Sequence, residues 1–189
     1  MNEATSTDRS NAAALAALLL VQLALGYEWL VSGLTKIVHG DFPPGLAGEL
    51  ADLHGQAPGW YRGFLTGAVE PHGQAFGYAI EATELVAGIV LVGAALGLLL
   101  GANRLSARVQ RVLQLATGAA ALLGLVLLVN FELANGGAFG LKLAKDSFDE
   151  GVSLDTLMVG LHLALLVFAA AALPRRARPE RLRGLEASG

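Results

Sequence analysis

Residues 11–38 read NAAALAALLLVQLALGYEWLVSGLTKIV, an apolar run broken only by Gln22, Glu28, Lys36 and small polar side chains. A hydrocarbon core about 30 Å thick is crossed by roughly 20 helical residues at 1.5 Å each, so this run spans a bilayer with length to spare. Three more runs repeat the pattern, at 75–101, 110–132 and 154–173. The 189-residue chain is 54% hydrophobic and 15% charged, whereas soluble domains are about 45–50% apolar and roughly a quarter charged. The excess lies in runs, which predicts an all-α integral membrane four-helix bundle forming a single domain over 1–189. The alternative, a soluble bundle, would have to hide four such runs from water on every side.

Basic residues give the orientation. Nine of the thirteen Lys and Arg fall before the first run, in the 102–111 link, or in the Arg-rich tail 174–189. The opposite loops carry Arg62, Lys142 and Lys145, and Lys36 sits at a helix end. By the positive-inside rule both termini are expected in the cytoplasm of a multi-pass protein of the inner (plasma) membrane. The first run exceeds the 7–15 residues of a signal-peptide core, so no cleavable signal is expected.

The connection between the first two spans is predicted to face outward. Segment 41–72 is too polar to span and too apolar for an ordinary loop, and it reads as two short amphipathic helices, 45–53 and 59–69. Phe42, Leu46, Leu50, Leu53, Trp60, Phe64 and Leu65 would lie at the membrane interface, where aromatic side chains collect. The segment is either a lid over a cavity or a belt holding helix ends.

The polar residues inside the spans carry the functional question. Glu28, Ser32 and Lys36 are spaced i, i+4, i+8 along the first span. Glu81 and Glu84 lie in the outer half of the second span, Asn130 and Glu132 end the third, and Asp155 and His162 lie on the fourth. A charge at mid-bilayer costs about 2.5–3.5 kcal/mol even on the lenient insertion scale, so such groups face the bundle and pair. The expected pairings are Lys36 with Glu81 or Glu84, and a protonated Glu28 with His162. Two readings stay open: a polar clasp that fixes helix order, or a pocket in the outer half of the membrane. Separately, Gly93, Gly97 and Gly101 are spaced four apart and predict a close-packing ridge.

Other chemistries are set aside. The chain has no cysteine, so disulfides, thiolate metal sites and iron–sulfur clusters are not expected. Haem held by two histidines needs two within the spans, and His162 is the only one; His39, His54 and His72 belong to the outer loop and lack a recognised metal-ligand spacing. No phosphate loop, nucleophile elbow or nucleic-acid patch is present, and no nucleic-acid partner is expected.

Several stretches carry a family resemblance. LVSGLTKI (30–37) looks like the SGxxK helix of DoxX-type proteins. PGWYRGFL, followed through VEPHGQAF by Glu84, Gly88, Leu91 and Gly93, is similar to the DoxD membrane subunits of thiosulfate:quinone oxidoreductases. NFELANGGAFG before the last span fits the same family's Asn- and Gly-rich loop. The resemblance covers roughly 20–170 and implies a four-helix membrane protein serving sulfur or thiol redox pathways, with quinone as electron acceptor and partner subunits beside it. It picks out Ser32, Gly33, Lys36, Trp60, Glu84 and Gly88. The thiosulfate enzyme also uses a DoxA part that this sequence lacks, so complete activity is not expected from this chain alone.

The expected site follows. Glu84, Glu28 and His162 would relay protons, while Lys36, Ser32, Trp60, Glu81 and Asn130 would hold a quinone, with no metal. The alternative is a non-catalytic accessory or scaffolding subunit of a larger membrane complex. The quinone reading requires Glu28, Glu84, Lys36 and His162 to converge on one cavity, roofed by the segment around Trp60 and Phe64.

Overall fold

The opening apolar run, rich in the helix formers Ala and Leu, folds as one helix, α1 (Glu3–His39). The computed structural model describes residues 3–53, 55–101, 104–137 and 154–171. Helices α2 (Phe42–Leu53) and α3 (Gly59–Phe64) follow, then a π turn at Leu65–Val69 and a 3-10 turn at Glu70–His72. These lead into α4 (Gly73–Gly101), α5 (Ala107–Ala134) and α6 (Leu154–Ala171). Helices α1, α4, α5 and α6 are long and apolar enough to cross a membrane. The loop carrying Lys142 and Lys145, His54 and the tail 174–189 lie outside the described residues.

Local chemistry sets the joints. Gly40, at φ +71°, takes the left-handed conformation that ends α1, with its N–H donating to the Lys36 carbonyl at 2.8 Å. Two prolines then open α2, where the missing N–H groups need no helical partner. Ser106 starts α5 by accepting a hydrogen bond from the Val109 N–H.

The bundle is an all-α four-helix arrangement in which α1 packs on α4, α4 on α5, and α5 on α6, while α6 returns only lightly to α1. Its centre is a cluster of Leu25, Trp29, Leu91, Leu128, Met158 and Leu165. Leu20, Leu100 and Val167 are among the many large apolar side chains exposed on the perimeter, as expected where the surrounding solvent is lipid. Lipid removes the hydrophobic drive between helices, so close packing and polar pairs must hold them.

Close packing concentrates where α1 meets α4. A Cβ on Gly88 would stand 2.5 Å from the Leu30 nitrogen, so only glycine lets the two backbones approach this far. The ridge expected at Gly93, Gly97 and Gly101 is not that contact. A Cβ on Gly93 would meet nothing within 4 Å, and Gly97 and Gly101 face Leu113 and Leu105. Gly93 stands five residues beyond Gly88, which turns it about 140° round the helix and away from α1.

The segment between α1 and α4 folds back over the bundle. Helix α2 lies on the start of α4, close enough that a Cβ on Gly77 would come within 2.5 Å of the Pro43 Cα. Leu46, Leu50, Ala57, Tyr61, Leu65 and Val69 form a second apolar cluster with Ala134 of α5. This end of the bundle is the lid end.

Candidate functional site

Ser32 and Lys36, one turn apart on α1, both reach Glu84 on α4. The Lys36 ammonium lies 2.8 Å from Glu84 Oε1 and 2.7 Å from Oε2. It also donates to Ser32 Oγ at 2.7 Å, and Ser32 donates to Glu84 Oε2 at 3.1 Å. Glu84 is fully buried, whereas the Lys36 side chain keeps 21% of its surface exposed. Its ammonium stands 5.0 Å from the Phe42 ring, so the first residue of α2 caps the pair with an aromatic face.

Glu81 takes no part in this pairing. It is buried, and its Oε1 has no hydrogen-bond partner among the described residues. Of the two carboxylates the sequence offered to Lys36, the structure selects Glu84.

His162 is engaged elsewhere. The Trp29 indole donates to its Nε2 at 2.9 Å, and its Nδ1 lies 2.7 Å from the Met158 carbonyl. An indole N–H only donates and a carbonyl only accepts, so the ring is the neutral tautomer with its proton on Nδ1. Both nitrogens are satisfied and the side chain is fully buried. A Cβ on Gly124 would come within 2.5 Å of Nε2, so α5 closes over the pair as well. This geometry leaves His162 no free nitrogen for a ligand or a proton relay.

The expected Glu28–His162 hydrogen bond does not form, because Glu28 is exposed beside the buried Trp29. The i, i+4, i+8 stripe drifts about 40° per step on a 3.6-residue helix. Ser32 and Lys36 therefore face α4 while Glu28 falls outside that interface. Lys36, Glu84, Glu28 and His162 do not converge on one cavity.

A cavity does lie at the lid end, in a different place. It measures about 310 Å³ and is walled by side chains of α2, α3, the π turn, α4 and α5, among them Leu50, Tyr61, Leu65, Phe76, Leu127 and Asn130. Phe64 is exposed, and Phe76, Ile80, Leu127 and Phe131 are half-buried, so the cavity is partly open and its rim is apolar. Its polar feature is a single pair: the Tyr61 hydroxyl donates to Asn130 Oδ1 at 2.6 Å. Asn130 Nδ2 in turn donates to the Val126 carbonyl at 2.6 Å, which holds the amide in place.

Of the residues expected to hold a cofactor, Asn130 lines this cavity. Trp60 does not: it is 72% exposed and packs edge-on against Tyr61 at 5.5 Å between ring centres. Tyr61, one position on, is the aromatic that turns inward. Only the rotation of a six-residue helix separates the two, and composition carries no signal of it.

Gln22 breaks the first apolar run without a polar neighbour along the chain. It is fully buried, and its amide donates to the Leu91 carbonyl at 2.9 Å and to Thr117 Oγ1 at 3.0 Å, tying α1, α4 and α5 together. Among the described residues, no group of three or more His, Cys, Asp or Glu is placed to hold a metal ion. Comparison with protein-family models, with curated proteins and with solved structures returned no match.

Proposed function

We propose that this chain is a DoxX/DoxD-like multi-pass membrane subunit of a quinone-linked oxidoreductase serving sulfur or thiol chemistry, and that its quinone position is the lid cavity. The observation that carries the reading is the Tyr61–Asn130 pair set into an otherwise apolar, partly open cavity walled in part by two of the spans. Ligand sites typically combine an apolar slot with a few fixed polar groups. A quinone ring with one carbonyl at Asn130 fits that description.

When bound, the quinone would supply the electron-accepting chemistry. The chain's own part is to hold the ring, to orient one oxygen against Asn130 and to keep water away with the lid. No carboxylate or imidazole is among the residues lining the cavity, so proton delivery belongs to a route or a partner beyond these side chains. The Lys36–Glu84 and Trp29–His162 pairs act as clasps. Their mutual saturation also favours a second reading, that of an accessory subunit whose polar residues only fix helix order.

Fluorescence separates the two readings. The protein has two tryptophans, Trp29 in the core and Trp60 beside the cavity. In lipid nanodiscs a short-tailed benzoquinone should quench Trp60 saturably. Ala134→Phe, which fills the cavity, should abolish that quenching without changing helix content. Linear, unsaturable quenching identical in the two proteins would remove the quinone reading and leave the accessory one.

A further inference from the structure

The lid cavity has a charge character as well as a shape. None of its lining residues is an acid or base that ionises near neutrality. Lys36 lies on the far side of Leu46, a buried side chain that borders both this cavity and the outward cleft containing Lys36, His39 and Glu49. The Lys36 ammonium is also matched already by the Glu84 carboxylate. An ionised head group placed in the cavity would therefore give up its hydration and meet no counter-charge.

The hydrogen-bonding capacity left over is equally restrictive. An amide nitrogen carries two hydrogens, and one of those on Asn130 goes to Val126. The Tyr61 hydrogen goes to Asn130 Oδ1. What faces a ligand is one N–H donor and the lone pairs of the Tyr61 oxygen. That complement suits a carbonyl, which accepts, or a hydroxyl, which accepts and donates. The volume, about 310 Å³, lies at the lower end of the ~300–1,000 Å³ usual for ligand sites and admits a single ring or a short chain rather than a fused-ring head.

Granted the ligand-binding reading above, we infer that the lid cavity selects uncharged amphiphiles with one small oxygen-bearing head and discriminates against ionised amphiphiles of the same length. Asn130 sets the preference for an oxygen-bearing head, and Leu46 is the wall that keeps the Lys36 charge out of the cavity.

The test is a competition in nanodiscs containing the full chain, reading displacement of a neutral solvatochromic dye and correcting for partition into protein-free nanodiscs. Decanol should displace the dye at about a tenfold lower membrane concentration than decanoate at neutral pH. This wild-type comparison needs no variant. Asn130→Leu should bring decanol down to the level of decane, while Leu46→Ala, which opens the wall toward Lys36, should narrow the advantage of the alcohol over decanoate. Equal or tighter binding of decanoate overturns the inference, as does a decanol advantage over decane that survives Asn130→Leu. If the short-tailed benzoquinone binds saturably and neither decyl compound competes, the head-group argument fails while the cavity reading stands. If none of the ligands binds, both fail.

Discussion

The Trp29 indole of α1 donates to His162 Nε2 of α6 at 2.9 Å, across the most lightly packed of the bundle's four neighbouring helix pairs. The contact closes the ring of four helices where apolar packing is thinnest. It also leaves both imidazole nitrogens of His162 engaged within the bundle.

Removing the donor should destabilise the protein. Trp29→Phe leaves Nε2 buried without a partner, which costs about 1–3 kcal/mol beyond the packing change. Gly124→Ala should cost at least as much, since its Cβ would displace the same ring. Thermal unfolding in detergent should fall for both variants while any benzoquinone quenching of Trp60 persists at folding temperatures. Loss of that quenching without loss of stability would return His162 to the site.

The Lys36–Glu84 pair should behave as a coupled unit. Breaking a buried ion pair from one side costs about 3–5 kcal/mol, because the remaining charge has no partner. Lys36→Met strands a carboxylate that is fully buried, so it should be the worse single change; Glu84→Gln leaves an ammonium that can still reach the cleft. The Lys36→Met/Glu84→Gln double variant should recover part of the loss, with a coupling of about 1 kcal/mol or more in a double-mutant cycle. Additive losses would mean that the contact contributes nothing as a pair.

The two glycine positions on α4 predict opposite outcomes. Gly88→Val must push α1 away from α4 and should prevent folding or lower the melting temperature sharply. Gly93→Ala meets open space and should raise helix stability by up to about 1 kcal/mol through propensity alone. A damaging Gly93→Ala would instead place a partner helix on that face.

Topology can be read with fusions. Both termini are expected in the cytoplasm from the distribution of Lys and Arg. A cytoplasm-active reporter joined after Gly189 should therefore be active, and a periplasm-active one silent. The reverse pattern would invert the molecule and place the lid cavity on the cytoplasmic side.

Hydropathy belongs to the order of residues along the chain, and no fold is needed to read it. For that reason the four spans, the helical class, the two short helices between the first spans and the pairing of Lys36 with a carboxylate on the next span were all legible in the sequence. Lipid makes this legibility strong, because an unpaired charge or backbone group has no solvent to retreat to. Azimuth is different. Each residue turns a helix by about 100°, so a one-position shift exchanges an inward side chain for an outward one, and residues of every chemistry fit both patterns. Glu28 beside Trp29, Trp60 beside Tyr61 and Gly93 beyond Gly88 were separated by that rotation alone. Neighbour identity is decided in the same way: Glu84 rather than Glu81 meets Lys36, and Trp29 rather than Glu28 meets His162, because glycines at the α1–α4 contact and Gly124 on α5 set how closely and at what angle the helices pack. The lid cavity has no counterpart in the linear chain at all, since its walls come from α2, α3, α4 and α5 and meet only when those helices do.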